Sequence, residues 1–164
     1  GVEGRGEIET EPLLVQRVIP RIVAAHLARH PSREVITDFE PNLEPVEASP
    51  TYFDQVLGNL LSNAEKYSPA GAPIEVTARS GDGVVEVRVL DRGAGISDEE
   101  IEHIFRPFYR SKRTAGSAQG AGLGLAVCKR LVEAQGGRIW AKRREGGGTE
   151  FGFALPTDVE PYRA

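Results

Sequence analysis

Methionine is absent from this chain, even at position 1. That absence points to a segment of a longer protein. Cysteine is nearly absent too: Cys128 stands alone, which excludes an internal disulfide framework and a cysteine-based zinc site. No apolar run approaches the ~18–20 residues of a membrane span, and the start lacks the form of a signal peptide. An excess of positive charge is also missing. Twenty Lys and Arg stand against 24 Asp and Glu, a formal net charge of −4, so no global basic field points to nucleic acid. What remains is ordinary for a globular domain. The 164 residues, 40% of them hydrophobic and 27% charged, allow one domain with a substantial core. The expected compartment is the cytoplasm, with membrane anchoring of the parent left open.

Residues 1–9 read as a flexible lead-in, although residues 7–14 have the character of a strand. Residues 17–29 are apolar at helical spacing (Val18, Ile22, Ala25, Leu27), with Pro20 expected in the first turn, where proline is tolerated. Residues 34–39 alternate as a strand, and a proline-rich turn follows through Pro45. Ser49-Pro50 is an N-cap followed by proline at the first helical position, so a helix should run to about Tyr67 and stop before Pro69-Ala70-Gly71. Residues 74–79 and 84–90 predict a hairpin around Gly81-Asp82-Gly83. Ser97 caps a short acidic helix over 98–104. Residues 110–122 form a long aperiodic loop, residues 122–135 are helical, and a last hairpin pairs 138–142 with 149–155. Hairpin strands with helices between them give an α+β fold: a two-layer α/β sandwich whose mixed, mostly antiparallel sheet is covered on one face by helices.

On the predicted helix, Phe53, Val56, Leu57, Leu60, Leu61 and Ala64 form one apolar stripe, the expected core face. Gln55, Asn59, Asn63 and Lys66 line an adjacent flank. Asparagine is a poor helix former because its side chain competes for backbone bonds. Two of them one turn apart carry a local cost. They could simply bond nearby backbone. They could also hold Mg²⁺, which prefers hard oxygen ligands and takes few from protein when phosphate supplies others. A neutral amide oxygen would not repel a triphosphate, and Lys66 could reach a phosphate as a point charge.

Val85, Val87 and Val89 alternate along a strand that delivers Asp91 to its end, ahead of Arg92-Gly93-Ala94-Gly95. Asp before glycine is often only a turn residue. A carboxylate there could also accept from the exocyclic amine of adenine, where guanine presents an oxygen and would be rejected. Gly120-Ala121-Gly122-Leu123-Gly124-Leu125 lacks the Gly-Lys-Ser/Thr of a Walker loop and the third glycine of a dinucleotide fingerprint. Glycines opening a helix can present N–H groups to phosphate. The stretch before them, with Arg110, Lys112 and Arg113 at one end, is either a solvated loop or a nucleotide lid.

In order and spacing, these segments resemble the catalytic and ATP-binding domain of bacterial sensor histidine kinases, in the ATPase superfamily shared with DNA gyrase and MutL. Asn59 to Tyr67 resembles the N box, Asp91 to Ile96 the first glycine box, Ile104 to Arg110 the F box, and Gly120 to Leu125 the second glycine box. Gly148-Thr149 sits where the family has a glycine–threonine pair on a late strand. The resemblance covers residues 10–156, which leaves 157–164 as a tail. It implies Mg–ATP as the ligand, with Asn63 on the metal, Asn59 supporting metal or phosphate, and Lys66 acting with them in catalysis. It further implies that Asp91 meets adenine with Thr149 nearby. Contacts to nucleotide are implied for Tyr67, Gly93, Gly95, Ile96, Tyr109, Arg110, Lys112, Gly120, Gly122, Leu123, Gly124 and Leu125. Phe105 and Phe108 would anchor the lid hinge or serve as plain core.

The family transfers the γ-phosphoryl group to a histidine on a separate helical dimerisation domain, from which a response regulator receiver domain takes it. That acceptor is missing here. His26 mimics the outer spacing of an acceptor motif through Pro31 but lacks the following acid, so it reads as an ordinary helix residue; His30 and His103 have no metal partners in view. The isolated domain is expected to be monomeric. Three alternatives stay open: an anti-sigma-type serine kinase, a hydrolytic ATPase, and a degenerate nucleotide-sensing or structural module. Anti-sigma kinases generally lack the 105–110 pattern, and hydrolytic relatives carry glutamate at the position of Asn59, whose amide cannot serve as a general base.

Overall fold

The computed structural model describes residues 8–109 and 124–157. In chain order the described elements are β1 (Glu11–Leu13), α1 (Val15–Arg29), β2 (Val35–Phe39), β3 (Val46–Ala48), α2 (Pro50–Tyr67), β4 (Ile74–Ser80), β5 (Val84–Leu90), α3 (Asp98–His103), α4 (Gly124–Ala134), β6 (Arg138–Arg143) and β7 (Thr149–Pro156). Five strands form one sheet in the order β2-β4-β5-β7-β6. Only β2 and β4 run parallel; the other pairs are antiparallel. The expected α+β sandwich is the observed one.

Alternation decides which face of the sheet is wet. Ile74, Val76 and Ala78 on β4, Val85, Val87 and Val89 on β5, and Phe151, Phe153 and Leu155 on β7 all point to the helices and are buried. The intervening positions carry Glu75, Arg79, Glu86, Arg88 and Glu150. On that open face Gly152 faces Trp140 across the β6–β7 register, and a Cβ there would meet the indole at 2.3 Å. Trp140 therefore lies flat on the sheet, with the guanidinium groups of Arg138 and Arg88 over its ring at 4.7 and 5.2 Å.

Helix α2 is the crossover between the parallel strands. Ser49 caps it by accepting from the Tyr52 N–H, and Pro50 opens it. Its whole predicted stripe, Phe53 through Ala64, is buried, and Phe53 meets Phe153 edge to face. At its far side Gln135 at the end of α4 accepts from the Ser49 N–H at 2.8 Å, tying the start of α2 to the end of α4.

Three expectations need correction. The first strand is shorter than residues 7–14 suggested, because pairing starts at Glu11, and its partner β3 lies just past the predicted proline-rich turn. Helix α1 begins at Val15, two residues early, so Pro20 is its sixth residue and not in the first turn. Pro20 is exposed on that helix, so its ring faces solvent and not the core. Helix α4 ends one residue short of Gln135, whose side chain is engaged in the tie to Ser49.

Phe53→Ala should cost about 3–5 kcal/mol, as the loss of a fully buried aromatic from a rigid core does. Chemical denaturation checks this; a loss under about 1 kcal/mol would mean that the α2–β7 contact is not the centre of the core.

Candidate functional site

The Asp91 turn is built from backbone. Asp91 is buried at 1% exposure. Its Oδ1 accepts from the N–H groups of Gly93 and Thr149, at 2.8 and 3.2 Å. Its own N–H donates to the Thr149 carbonyl, which continues the sheet ladder to the end of β5. Its Oδ2 has no hydrogen-bond partner among the described residues. Beside it, Thr149 is fully buried and its Oγ1 is likewise without a partner among the described residues. An unpartnered carboxylate oxygen and a buried, unpartnered hydroxyl on neighbouring residues offer a binding surface, because unsatisfied polar groups are costly to hide.

Two glycines explain how three segments come this close. A Cβ on Gly93 would lie 2.4 Å from the Tyr67 carbonyl, so only glycine lets the turn pack on the end of α2. A Cβ on Gly148 would lie 1.9 Å from the Asp91 carbonyl, and Gly148 holds φ +110°. Ile96 follows the turn and is buried; Gly95 faces the Gly148 carbonyl.

On α2, Asn59 donates from Nδ2 to the Cys128 sulfur on α4 at 3.6 Å. Burial pushes the Cys128 thiol up to about 11, against the opposing pull of that Asn59 contact. One turn on, Asn63 carries a buried Nδ2 with no partner among the described residues. Lys66 is exposed, with its ammonium 5.7 Å from the Tyr67 ring centroid. Phe105 is half-buried and packs edge to face on Phe151, so it joins the core. Phe108 is 68% exposed with φ 66°, not a core residue. Tyr109 is half-buried near His103; burial, then the carboxylates of Glu100 and Glu99, push its hydroxyl up. Gly124 opens α4 and Leu125 packs against the core. Arg110, Lys112, Gly120, Gly122 and Leu123 lie outside the described residues.

A cleft of about 1040 Å³ beside the turn is lined by Gly95, Ser97, Arg143, Arg144 and Gly148 but by neither asparagine nor Asp91. Its arginines are occupied, Arg143 by Asp98 and Arg144 by Glu75. Of the residues that the sequence singled out, Gly95, Ile96 and Gly148 line it.

The sequence reading missed a buried polar cluster behind α2. Glu65 accepts from Arg33 through both carboxylate oxygens at 3.0 Å, and its Oε1 also meets His26 Nε2 at 2.9 Å. His26 is 2% exposed and its ring stacks on His30. The available signal was Glu65 itself, an acid placed four residues after buried Leu61. Burial raises the Glu65 carboxyl, but the Arg33 and His26 hydrogen bonds and the charges of Arg33 and His30 outweigh it and hold the group below its usual 4.5. Between the two values the unfolded chain binds more protons than the folded one. Stability from this cluster is therefore complete above 4.5 and lost as pH falls through the folded value. Urea unfolding across acid pH should show this loss, and Glu65→Gln should flatten it. An unchanged profile would mean that Glu65 is not the responsible group.

Comparison with known proteins agrees with this architecture. Residues 48–159 match the family described as histidine kinase-, DNA gyrase B- and HSP90-like ATPases. The adaptive-response sensory kinase SasA of Synechococcus elongatus is 37% identical over 151 residues, covering 92% of this chain and 38% of that protein. The catalytic domain of histidine kinase ThkA superposes with a TM-score of 0.78 at 29% identity, covering 92% of this chain and 97% of that one. Full-length ShkA, solved in complex with AMPPNP, gives a TM-score of 0.79 at 28% identity, covering 96% of this chain and 34% of that one. The chain spans about a fifth to two fifths of the length of the curated relatives it matches. The chain belongs to the histidine kinase-, DNA gyrase B- and HSP90-like ATPase family, as a catalytic ATP-binding domain of the sensor histidine kinase type.

Proposed function

We propose that this chain binds Mg–ATP and donates its γ-phosphoryl group to a histidine on a separate dimerisation domain of its parent kinase. One observation carries the reading: buried Asp91 has one oxygen held by two backbone N–H groups and the other open beside the orphaned hydroxyl of Thr149. That pair suits the exocyclic amine of adenine, and the AMPPNP complex of the relative ShkA supports a nucleotide there.

The metal fits the residues present. Mg²⁺ takes few ligands from protein when phosphate supplies others, and neutral amide oxygens suit it beside a triphosphate. In this reading the amide oxygen of Asn63 would meet it, its buried Nδ2 being a donor that cannot ligate a cation, and Asn59 would offer a second amide oxygen while its Nδ2 donates to Cys128. Bound Mg²⁺ would neutralise charge on the phosphates, and phosphoryl transfer asks for little beyond positioning and such neutralisation. Lys66 and Tyr67 at the end of α2, with Arg110 and Lys112, contact the nucleotide in this reading. The glycines at 120, 122 and 124 would meet its phosphates in the same reading, and Phe105 would anchor the start of the lid from its place against the core.

Donation is favoured over hydrolysis because Asn59 cannot activate water as a base. The acceptor lies elsewhere, since His26 is buried and bonded to Glu65. Residues 10–156 form the catalytic unit, and the partners are the acceptor domain and the receiver domain of a response regulator. The parent is a bacterial two-component kinase, and this part of it works in the cytoplasm as a monomer without nucleic acid. Among the described residues no helix is long and apolar enough to cross a membrane.

Two measurements test the reading. Asp91→Asn keeps an oxygen for the two N–H groups and converts the open acceptor to a donor; ATP affinity should fall about 10–100-fold, the worth of a charged hydrogen bond. Asn63→Ala should instead remove most of the magnesium dependence. Calorimetry with and without Mg²⁺ reads both, and wild-type affinity in both variants would refute the site. Separately, incubation of the chain with labelled ATP should leave it unlabelled. Strong acid-labile labelling would show an acceptor within the chain.

A further inference from the structure

The last two turns of α2 carry Asn63, Lys66 and Tyr67, the residues that the proposed function gives to metal and phosphate. An α-helix leaves its final four carbonyls without intrahelical partners, and their anchoring decides how firmly the turn is held. Here the anchor comes from Arg33, in the connection between α1 and β2, with a side chain only 6% exposed. Its Nη1 donates to the carbonyls of Pro69 and Ala72, both at 2.8 Å. Its Nη2 donates to the carbonyls of Ser68 and Glu65, at 3.2 and 3.4 Å, and shares the Glu65 carboxylate with Nε. One planar fork thus holds the helix end, the chain leaving it and the approach to β4.

The held end is also the surface on which the adenine side rests. Gly93 packs so closely on the Tyr67 carbonyl that a single Cβ would overlap it. A shift of the last turn cannot be absorbed there. Displacing that turn would press the Tyr67 carbonyl on Gly93, two residues from Asp91.

We propose that Arg33 is a positioning residue for nucleotide binding, setting the register between the amide side of the site on α2 and the adenine side at Asp91. Arg33 touches no ligand itself. Lysine cannot replace it, because an ammonium lacks the planar fork that reaches a carboxylate and several carbonyls together. The inference rests on the assignment of Asn63 and Asp91 to opposite ends of one nucleotide.

A purely structural role would weaken every ligand alike, whereas a register role penalises only ligands that span both sides. The test compares Mg–AMPPNP, which spans them, with adenosine, which needs the Asp91 side alone. In Arg33→Met, Mg–AMPPNP affinity by calorimetry should fall about tenfold or more while adenosine affinity by NMR titration stays within about twofold, as expected when two subsites lose alignment. Arg33→Lys should show the same split at smaller size, and it carries the comparison if the methionine variant does not fold. Equal losses for both ligands, or wild-type affinity for both in a folded variant, would overturn the proposal. Failure of the unsubstituted chain to bind Mg–AMPPNP would instead overturn the proposed function, and this inference with it.

Discussion

The site depends on bare backbone meeting bare backbone. At Gly93 the turn after β5 lies against the last carbonyl of α2, and at Gly148 the β6–β7 connection lies against the carbonyl of Asp91. Neither approach leaves room for a methyl group. Because the segments touch without side chains between them, the turn carrying Asp91 inherits the rigidity of both the helix and the sheet. The Asp91 carboxylate then closes the arrangement by accepting from residues on both sides of it. A rigid frame of this kind can leave polar atoms unsatisfied, since the surrounding backbone is not free to collapse onto them.

Charge is divided between two tasks. Behind α2, Glu65 is saturated by Arg33 and His26 and serves to fix the helix. In front, Asp91 and the amides of Asn59 and Asn63 keep acceptor or donor capacity in reserve. Both sets sit on or against the same helix, Glu65 two residues beyond Asn63. The wet face of the sheet shows a third arrangement, in which Arg88 and Trp140 both donate to Glu150 and Arg88 also lies over the indole.

Much of this was legible because it is local. The α2 stripe follows from helical spacing, its start from Ser49-Pro50, the β4–β5 hairpin from two alternating runs around Gly81-Asp82-Gly83, and Asp91 from its place at a strand end. The resemblance supplied the order of the boxes. What escaped was decided by partners far away in sequence. Strand β3 is three residues long and exists only because β1 pairs with it. Arg33 reads as one charge among many until Glu65 and the turn after α2 fold over it. Pro20 was misplaced because nothing nearby marks the true start of α1, which lacks a side-chain cap.

The sheet's outer strand, β6, has a consequence of another kind. An edge strand offers unpaired N–H and C=O groups to any extended chain that drifts alongside, and unguarded edges seed fibres and swapped dimers. Here Arg138, Lys142 and Arg143 stand exposed along that edge. Each is paired with an acid of the same molecule, Arg138 with Glu86, Lys142 with Glu150 and Arg143 with Asp98, so a strand docking there would have to displace a row of long, hydrated ion pairs before a ladder bond could form. The strand that borders the nucleotide-binding half of the sheet is thereby kept from recruiting its own kind.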